Sequence, residues 1–359
     1  MGRRGAMTTA ANRSGRPPTI YDVAEAAGVA ASTVSRAFSR PGRVNAETAE
    51  RIRRVAAELG YRTAPASPAP ARTRTSMLAL VVSDVTNAFY AEIIRGAESA
   101  AAEAGYVLLL IDAQESDTLE RDSLRRALPG VEGVVLAGTR LPDSAIRVVA
   151  GRRPTVVLNR DVADVPSIVL DDAYGMRRAA EHLAGLGHRA LTYVAGPEAS
   201  WADGMRWRTL REAAADLGRR AQRVGPFPPT VAGGRAAAAR LHADPPTAVV
   251  AYNDQLAIGL MLALRTAGIR VPDDMSVIGF DDIFPARIVS PGLTTVAAPL
   301  RAQGRAAVHA VLAGRGEPAG PPARPMPLPV RLIVRDSTAR RRRTHAAAGR
   351  NGPGGTRRL

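Results

Sequence analysis

The sequence predicts an α/β protein in which a small N-terminal helix-turn-helix head is joined to a two-lobed body built on parallel sheets. Three observations carry this expectation. The run from Thr19 to Arg62, TIYDVAEAAGVAASTVSRAFSRPGRVNAETAERIRRVAAELGYR, has helical periodicity broken by one tight turn. A proline-rich stretch follows it. From Met77 onward, short apolar runs alternate with amphipathic ones, the pattern of parallel strands covered by helices on both faces. With 359 residues and 46% hydrophobic content the chain can bury more than one core.

In the head, Thr19 is placed to cap a first helix with Asp22 three residues on, and Gly28 supplies the left-handed residue that stops it. A second helix begins near Ala31, so the two cross steeply over a short turn. Val23, Ala24, Ala27, Val29, Val34, Ala37 and Phe38 recur at helical spacing and form the core. This leaves Ala31, Ser32, Thr33, Ser35 and Arg36 facing outward as candidate DNA contacts, with Thr19 and Tyr21 at the start of the first helix. A small helical bundle whose polar face is merely solvated would share the pattern. Charge argues for DNA: residues 1–62 hold eleven Arg against five Asp or Glu, and Arg3, Arg4, Arg13 and Arg16 precede the motif.

The formal net charge of +16 is unevenly spread. The first 62 residues contribute +6, Arg72 and Arg74 another +2, and residues 339–359 contribute +7, which leaves the body close to neutral. A neutral body with basic ends argues against a general polycation or a membrane-surface protein. Residues 1–18 read as a disordered basic arm and 339–359 as a disordered basic tail, able to add non-specific phosphate affinity or simply solvated. The chain has no Cys, so disulfides and thiolate metal sites are excluded. No apolar stretch follows the basic N-terminus and no run is long enough to span a bilayer, so a cytoplasmic protein is expected.

Residues 63–76 read as a hinge or linker. Pro65, Pro68 and Pro70 alternate with small residues and oppose a stable helix. In the body, residues 77–338, strands are expected at 77–82, 106–112, 133–136, 155–158, 167–170, 191–195, 248–251 and 276–280. Helices are expected at 88–104, 118–127, 174–186, 202–216, 234–242, 254–267 and 301–312. Ligands of parallel sheets bind beyond the carboxyl ends of the strands. Several polar or aromatic groups fall there: the segment from Asp84 through Phe89 and Tyr90, then Asn159 and Arg160, Asn253 and Asp254, and Asp281 and Asp282.

Each has a plainer reading. Asp254 and Asp172 are placed to cap the helices that follow, and for Asp172 the capping reading is preferred. Phe89 and Tyr90 suit the core as well as a ligand, in a chain only 4% aromatic. Arg206 is either one surface Arg among many or, near Trp201 at a helix start, a ligand contact. His188 reads as structural. No catalytic motif follows a strand, the five His are isolated, and Asp281 and Asp282, being adjacent, point different ways. No enzyme activity, metal or cofactor is expected.

The motifs DVAEAAGV and TVSRAF, TNAFYAEIIRGAESAA, HLAGLGHRALTYVAGP, NDQLAIG, VPDDMSVIGFDD, PGLTTV and LIVRDST together resemble the lactose-repressor (LacI) family of bacterial transcription regulators, from Thr19 to Thr338. The resemblance implies a helix-turn-helix, a hinge and a two-lobed effector domain like a periplasmic sugar-binding protein. The whole would act as a homodimer on a near-palindromic double-stranded operator. By position, Ala31, Ser32 and Arg36 match base-reading residues, and Thr33 and Ser35 match phosphate contacts. Phe89, Tyr90, Asn159, Arg206, Asn253 and Asp281 match effector-binding positions that suit a polar ring such as a sugar, and Trp201, close to Arg206, is a further candidate effector contact. A nucleoside or purine is the alternative effector. The chain departs from the family at Ala30 and Ser39, and at the hinge, where Ser67 and Pro68 replace an Ala-Arg pair. Pro70 stands where a Leu normally wedges into the minor groove. A solute receptor for transport would use the same two lobes but needs an export signal and no DNA head.

Overall fold

A computed structural model describes residues 18–39, 44–61, 75–314 and 325–341, apart from the Ser39 side chain. The expectations for the basic arm, for Ser39, for most of the linker and for most of the basic tail lie outside the described residues. The chain divides into two compact units, Met1–Arg74 and Thr75–Leu359.

The first unit holds α1 (Ile20–Ala27), α2 (Ala31–Ser39) and α3 (Ala46–Glu58). Asp22 accepts the Thr19 amide at 2.6 Å and its hydroxyl at 2.7 Å, and Gly28 ends α1 at φ 64°. Val23, Ala24, Ala27, Val34, Ala37, Ala49, Ile52 and Ala56 close a core, with Phe38 and Tyr61 packed at its edge. The apolar period read from sequence is therefore the buried face.

The second unit contains β1 (Met77–Val82), α4 (Ala88–Glu103), β2 (Val107–Asp112), α5 (Asp117–Ala127), β3 (Gly133–Ala137), α6 (Asp143–Ala150), β4 (Thr155–Leu158) and β5 (Ser167–Leu170). It continues through α7 (Asp172–Gly185), β6 (Ala190–Val194), α8 (Trp201–Asp216), β7 (Arg220–Val224), α9 (Val231–Leu241), β8 (Ala248–Ala251), α10 (Asp254–Thr266), β9 (Ser276–Asp281), α11 (Phe284–Ile288), β10 (Thr294–Ala297), α12 (Leu300–Ala313), β11 (Met326–Leu328) and β12 (Arg331–Ile333). Two six-stranded sheets result, in the orders β11-β5-β4-β3-β1-β2 and β12-β10-β9-β8-β6-β7. Every pairing is parallel except β10 with β12.

The chain passes between the lobes three times among the described residues: after β5, after β10 and after β11. All eight strands read from sequence are present. Four were not foreseen, β7, β10, β11 and β12, and neither were α6 and α11. Three of these strands lie at sheet edges, where RAQRV, MPL and RLI carry charge, proline or little length and so lack an apolar run. Helix α9 starts at Val231, earlier than expected, because Thr230 caps it through the Gly233 amide at 3.1 Å.

Candidate functional site: an exposed head face and an interlobe cleft

On the head, Ser32, Ser35, Arg36 and Tyr21 are exposed. Thr33 is half-buried. Two of the expected contact residues are committed to the fold in part: Ala31 packs on the head core, and the Thr19 hydroxyl donates to Asp22.

In the body, all seven residues singled out from sequence, Phe89, Tyr90, Asn159, Trp201, Arg206, Asn253 and Asp281, line one interlobe cleft that is partly open to solvent. The first lobe supplies the first turn of α4. Asn87 caps this helix by accepting the Phe89 amide at 3.1 Å, and the Phe89 and Tyr90 rings meet edge-on at 5.0 Å. Tyr90 and Ser83 share a 2.5 Å hydroxyl contact, and burial pushes the Tyr90 phenol above its usual range. Gly138 lies against this pair at φ 76°, and a Cβ there would stand 2.2 Å from the Tyr90 hydroxyl, so only glycine fits. Asn159 leaves β4 at φ 60°, with its side-chain oxygen accepting from Gln303 at 2.8 Å.

The second lobe supplies the charged floor. Arg206 is 4% exposed and donates its Nε to Asp172 at 2.9 Å and an Nη to the Tyr252 carbonyl at 2.6 Å. Its guanidinium lies 3.6 Å from the centre of the Phe280 ring and 5.1 Å from that of Tyr252. Burial opposes the Arg206 charge, but Asp172 and Asp281 outweigh it and hold the group charged. Asn253 caps α10 through the Leu256 amide at 3.0 Å and donates to the Pro229 carbonyl at 3.2 Å, so both ends of its amide are engaged.

Asp281 differs from these. Its Oδ1 is buried without a hydrogen-bond partner, 3.9 Å from Arg206, and burial raises its carboxyl well above the usual range. The turn that presents it is left-handed at two consecutive non-glycine residues, Asp281 at φ 112° and Asp282 at φ 58°. Asp254 holds this turn. Fully buried, it accepts the Ile283 amide at 2.9 Å and the Thr295 hydroxyl at 2.6 Å, and burial pushes its carboxyl up to about 7. Asp282 turns the other way, to Arg335 at 2.5 Å and Arg287 at 2.8 Å, as expected for adjacent residues.

Two readings need correction. Asp171, not Asp172, caps α7, accepting the Tyr174 amide at 2.9 Å, while Asp172 turns inward to Arg206. The cap of α10 is likewise Asn253 rather than Asp254. Sequence reasoning also missed Glu115 and Arg140 in the cleft lining, where the Arg140 Nε donates to Glu115 at 2.7 Å. Gln114 and Glu115 are both left-handed, at φ 49° and 56°, which swings Glu115 over the cleft. Beneath them, buried Glu120 accepts the Thr139 hydroxyl at 2.5 Å and the Arg140 amide at 3.0 Å. Both missed residues follow strand exits, of β2 and β3, so the same positional rule applied to every strand would have found them, along with Tyr252 after β8. No cluster able to hold a metal ion occurs among the described residues. No described helix is long and apolar enough to cross a membrane.

Comparison with known proteins agrees with this architecture. Residues 19–64 match the family model of bacterial regulatory proteins of the lacI family, and residues 180–338 match a periplasmic binding protein-like domain. The chain is 34% identical over 340 residues to the HTH-type transcriptional regulator DegA of Bacillus subtilis, covering 89% of this chain and 98% of that protein. Among solved structures, the Lac repressor dimer bound to operator and the anti-inducer ONPF superposes with a TM-score of 0.66 at 26% identity, covering 90% of this chain and all of that one. The complex of the transcriptional regulator CelR with cellobiose gives 0.65 at 29% identity, covering 89% and 99%. With the helix-turn-helix head, the two parallel-stranded lobes and this extent of shared sequence, the chain belongs to the lacI family of bacterial regulatory proteins.

Proposed function

We propose that this transcriptional regulator changes its affinity for an operator when a small polar molecule, a sugar, fills the interlobe cleft of each subunit of a homodimer. The observation that carries the reading is Asp281. A buried carboxylate oxygen without a partner, beside a guanidinium already fixed by Asp172 and Tyr252, calls for a donor supplied from the cleft. A sugar hydroxyl can donate to Asp281 and accept from Arg206 at once, while Phe89 and Trp201 offer apolar surface for the ring. CelR holds cellobiose within the same fold, which supports a sugar. The dimer and the operator follow the Lac repressor complex.

On the head, Ser32 and Arg36 are assigned to base edges, with Thr33, Ser35, Thr19 and Tyr21 set against the phosphates and Ala31 against base methyls. Because Phe89 and Trp201 come from different lobes, a flat base is the second reading, and a nucleoside or purine would then be the effector. The test has two steps. Binding-site selection from random duplexes defines an operator, and that operator is then titrated in the presence of pentoses, hexoses, disaccharides, nucleosides and purines. One class is expected to shift operator affinity in the native chain and not in Asp281→Ala. A shift by nucleosides alone selects the second reading, and an equal shift in Asp281→Ala removes the cleft from the mechanism.

A further inference from the structure

The strands of the second lobe begin at the end opposite the cleft, and arginines gather there. Arg189 directly precedes β6 and Arg220 opens β7, and the Arg220 amide donates to the Arg189 carbonyl at 3.1 Å. Arg219 is next in sequence. The C-terminal segment is strapped across the same end. Ala339 donates to the Ser276 hydroxyl at 3.1 Å, its carbonyl faces His188 at 3.2 Å, and the Arg341 amide donates to the Leu186 carbonyl at 2.9 Å. Arg340 lies between them.

Arg189, Arg220, Arg340 and Arg341 are exposed, and none of the five arginines has a carboxylate partner among the described residues. Nearby acids are largely spent: Asp216 pairs with Arg177 at 3.0 Å, and Arg270 takes Asp274 at 2.8 Å and Asp273 at 3.5 Å. The sequence then continues through Arg342, Arg343, Arg350, Arg357 and Arg358.

Charge on an edge strand blocks unwanted strand addition, which accounts for Arg220 on β7. It does not account for Arg189, Arg340 or Arg341, which are in no strand. A guanidinium fork pairs with phosphate oxygens two at a time and stays charged at every working pH. No large apolar side chain is exposed within the cluster, so it lacks the anchor that a membrane-surface site uses. The composition is that of a phosphodiester contact.

We infer that this face is a second DNA-contacting surface, separate from the helix-turn-helix, which holds the backbone of a duplex without reading its sequence. The body can be tested alone, because its three cores take no residue from the head. Residues 75–359 are titrated with a labelled random-sequence duplex of about 24 base pairs at several salt concentrations. The body is expected to bind, with an affinity that falls steeply as salt rises. Neutralising Arg189, Arg220 and Arg341 together to Gln should weaken binding at least about tenfold and flatten the log–log salt slope by roughly 2.7, about 0.9 for each phosphate that no longer meets a guanidinium. Changing Arg121, Arg125 and Arg126 of α5 to Gln removes the same charge elsewhere and should leave both quantities nearly unchanged. Truncation after Arg341 should weaken binding while preserving the effect of the first triple variant. The inference is overturned if the native body does not bind, if the two triple variants lose equally, if truncation alone abolishes binding, or if vesicles of phosphatidylglycerol are bound more tightly than the duplex.

Discussion

Arg206 and Asp172 form an ion pair in which both side chains are about 5% exposed or less, and the pair ties α8 to the start of α7. Two buried charges are costly to desolvate, and each is offset chiefly by the other, with Asp281 at 3.9 Å a second counter-charge for Arg206. Removing one partner should therefore cost more than the pairing itself is worth. Asp172→Ala is expected to destabilise the body by about 3–5 kcal/mol in urea unfolding. Asp172→Asn keeps an acceptor for the Arg206 Nε–H and should cost clearly less. Equal stabilities for the native chain and Asp172→Ala would show that the pair contributes nothing net.

Asp281 should behave in the opposite way without ligand. Its Oδ1 makes no hydrogen bond and its charge is disfavoured by burial, so the unliganded fold gains little from it. Asp281→Asn should leave unfolding stability unchanged or slightly raised, while ligand-induced stabilisation in a thermal melt falls by about 1.5–3 kcal/mol, the worth of a hydrogen bond to a charged group. A large loss of stability in the unliganded variant would instead make Asp281 a structural residue.

The buried acids and His188 set opposite limits on stability with pH. Asp254 is raised from 3.8 to about 7 by burial, so the folded state holds its proton more tightly than the unfolded chain. Its contribution is fully present below pH 4 and is lost as pH rises through about 7, by roughly 4 kcal/mol in all at about 1.4 per pH unit. Asp172 and Asp281 are shifted in the same direction, again by burial. His188 is lowered by burial, with bonds to Thr247 and Ser276 at 3.0 and 3.1 Å, so its contribution is present above about 6.5 and lost as pH falls below that value. Urea midpoints measured from pH 4 to 9 should include a fall up to about pH 7 that Asp254→Asn flattens, offset below about pH 6.5 by His188. A fall below pH 7 that is unchanged in Asp254→Asn would assign it to other groups.

How far the sequence revealed this arrangement depended on what each residue type makes visible. Strands such as MLALVV and SVIGFD are buried on both faces, and a continuous apolar run shows this directly. Edge strand β7, with its exposed Arg220, Gln222 and Arg223, has no such run and was invisible. The cleft residues found from sequence sat just past strands whose ends were clear. Glu115 follows the exit of β2 and so falls under the same rule, but the two successive left-handed non-glycine residues that bring it over the cleft leave no mark in composition. Asp172 was misread because two adjacent aspartates, Asp171 and Asp172, stand at the start of α7 and either could cap it. Only the three-dimensional fold shows that the second faces an arginine 34 positions away.

Arg36 provides the test of the head. It is exposed on α2, beside Ser32 and opposite the buried Val34 and Ala37, so its guanidinium is available to a groove while the helix stays packed. A guanidinium reads guanine through its N7 and O6 acceptors together, a contact worth about 1–3 kcal/mol of discrimination against other bases. Arg36→Ala should lower affinity for the selected operator by about that amount and relax base preference at one position in each half-site. Arg36→Lys keeps the charge but loses the two-pronged geometry, so it should retain non-specific affinity and its salt dependence while losing most of the preference. Because Arg36 lies outside the head core, both variants should melt at the native temperature. Full sequence preference in Arg36→Ala, recovered by selection from random duplexes, would place the reading of that base on another residue.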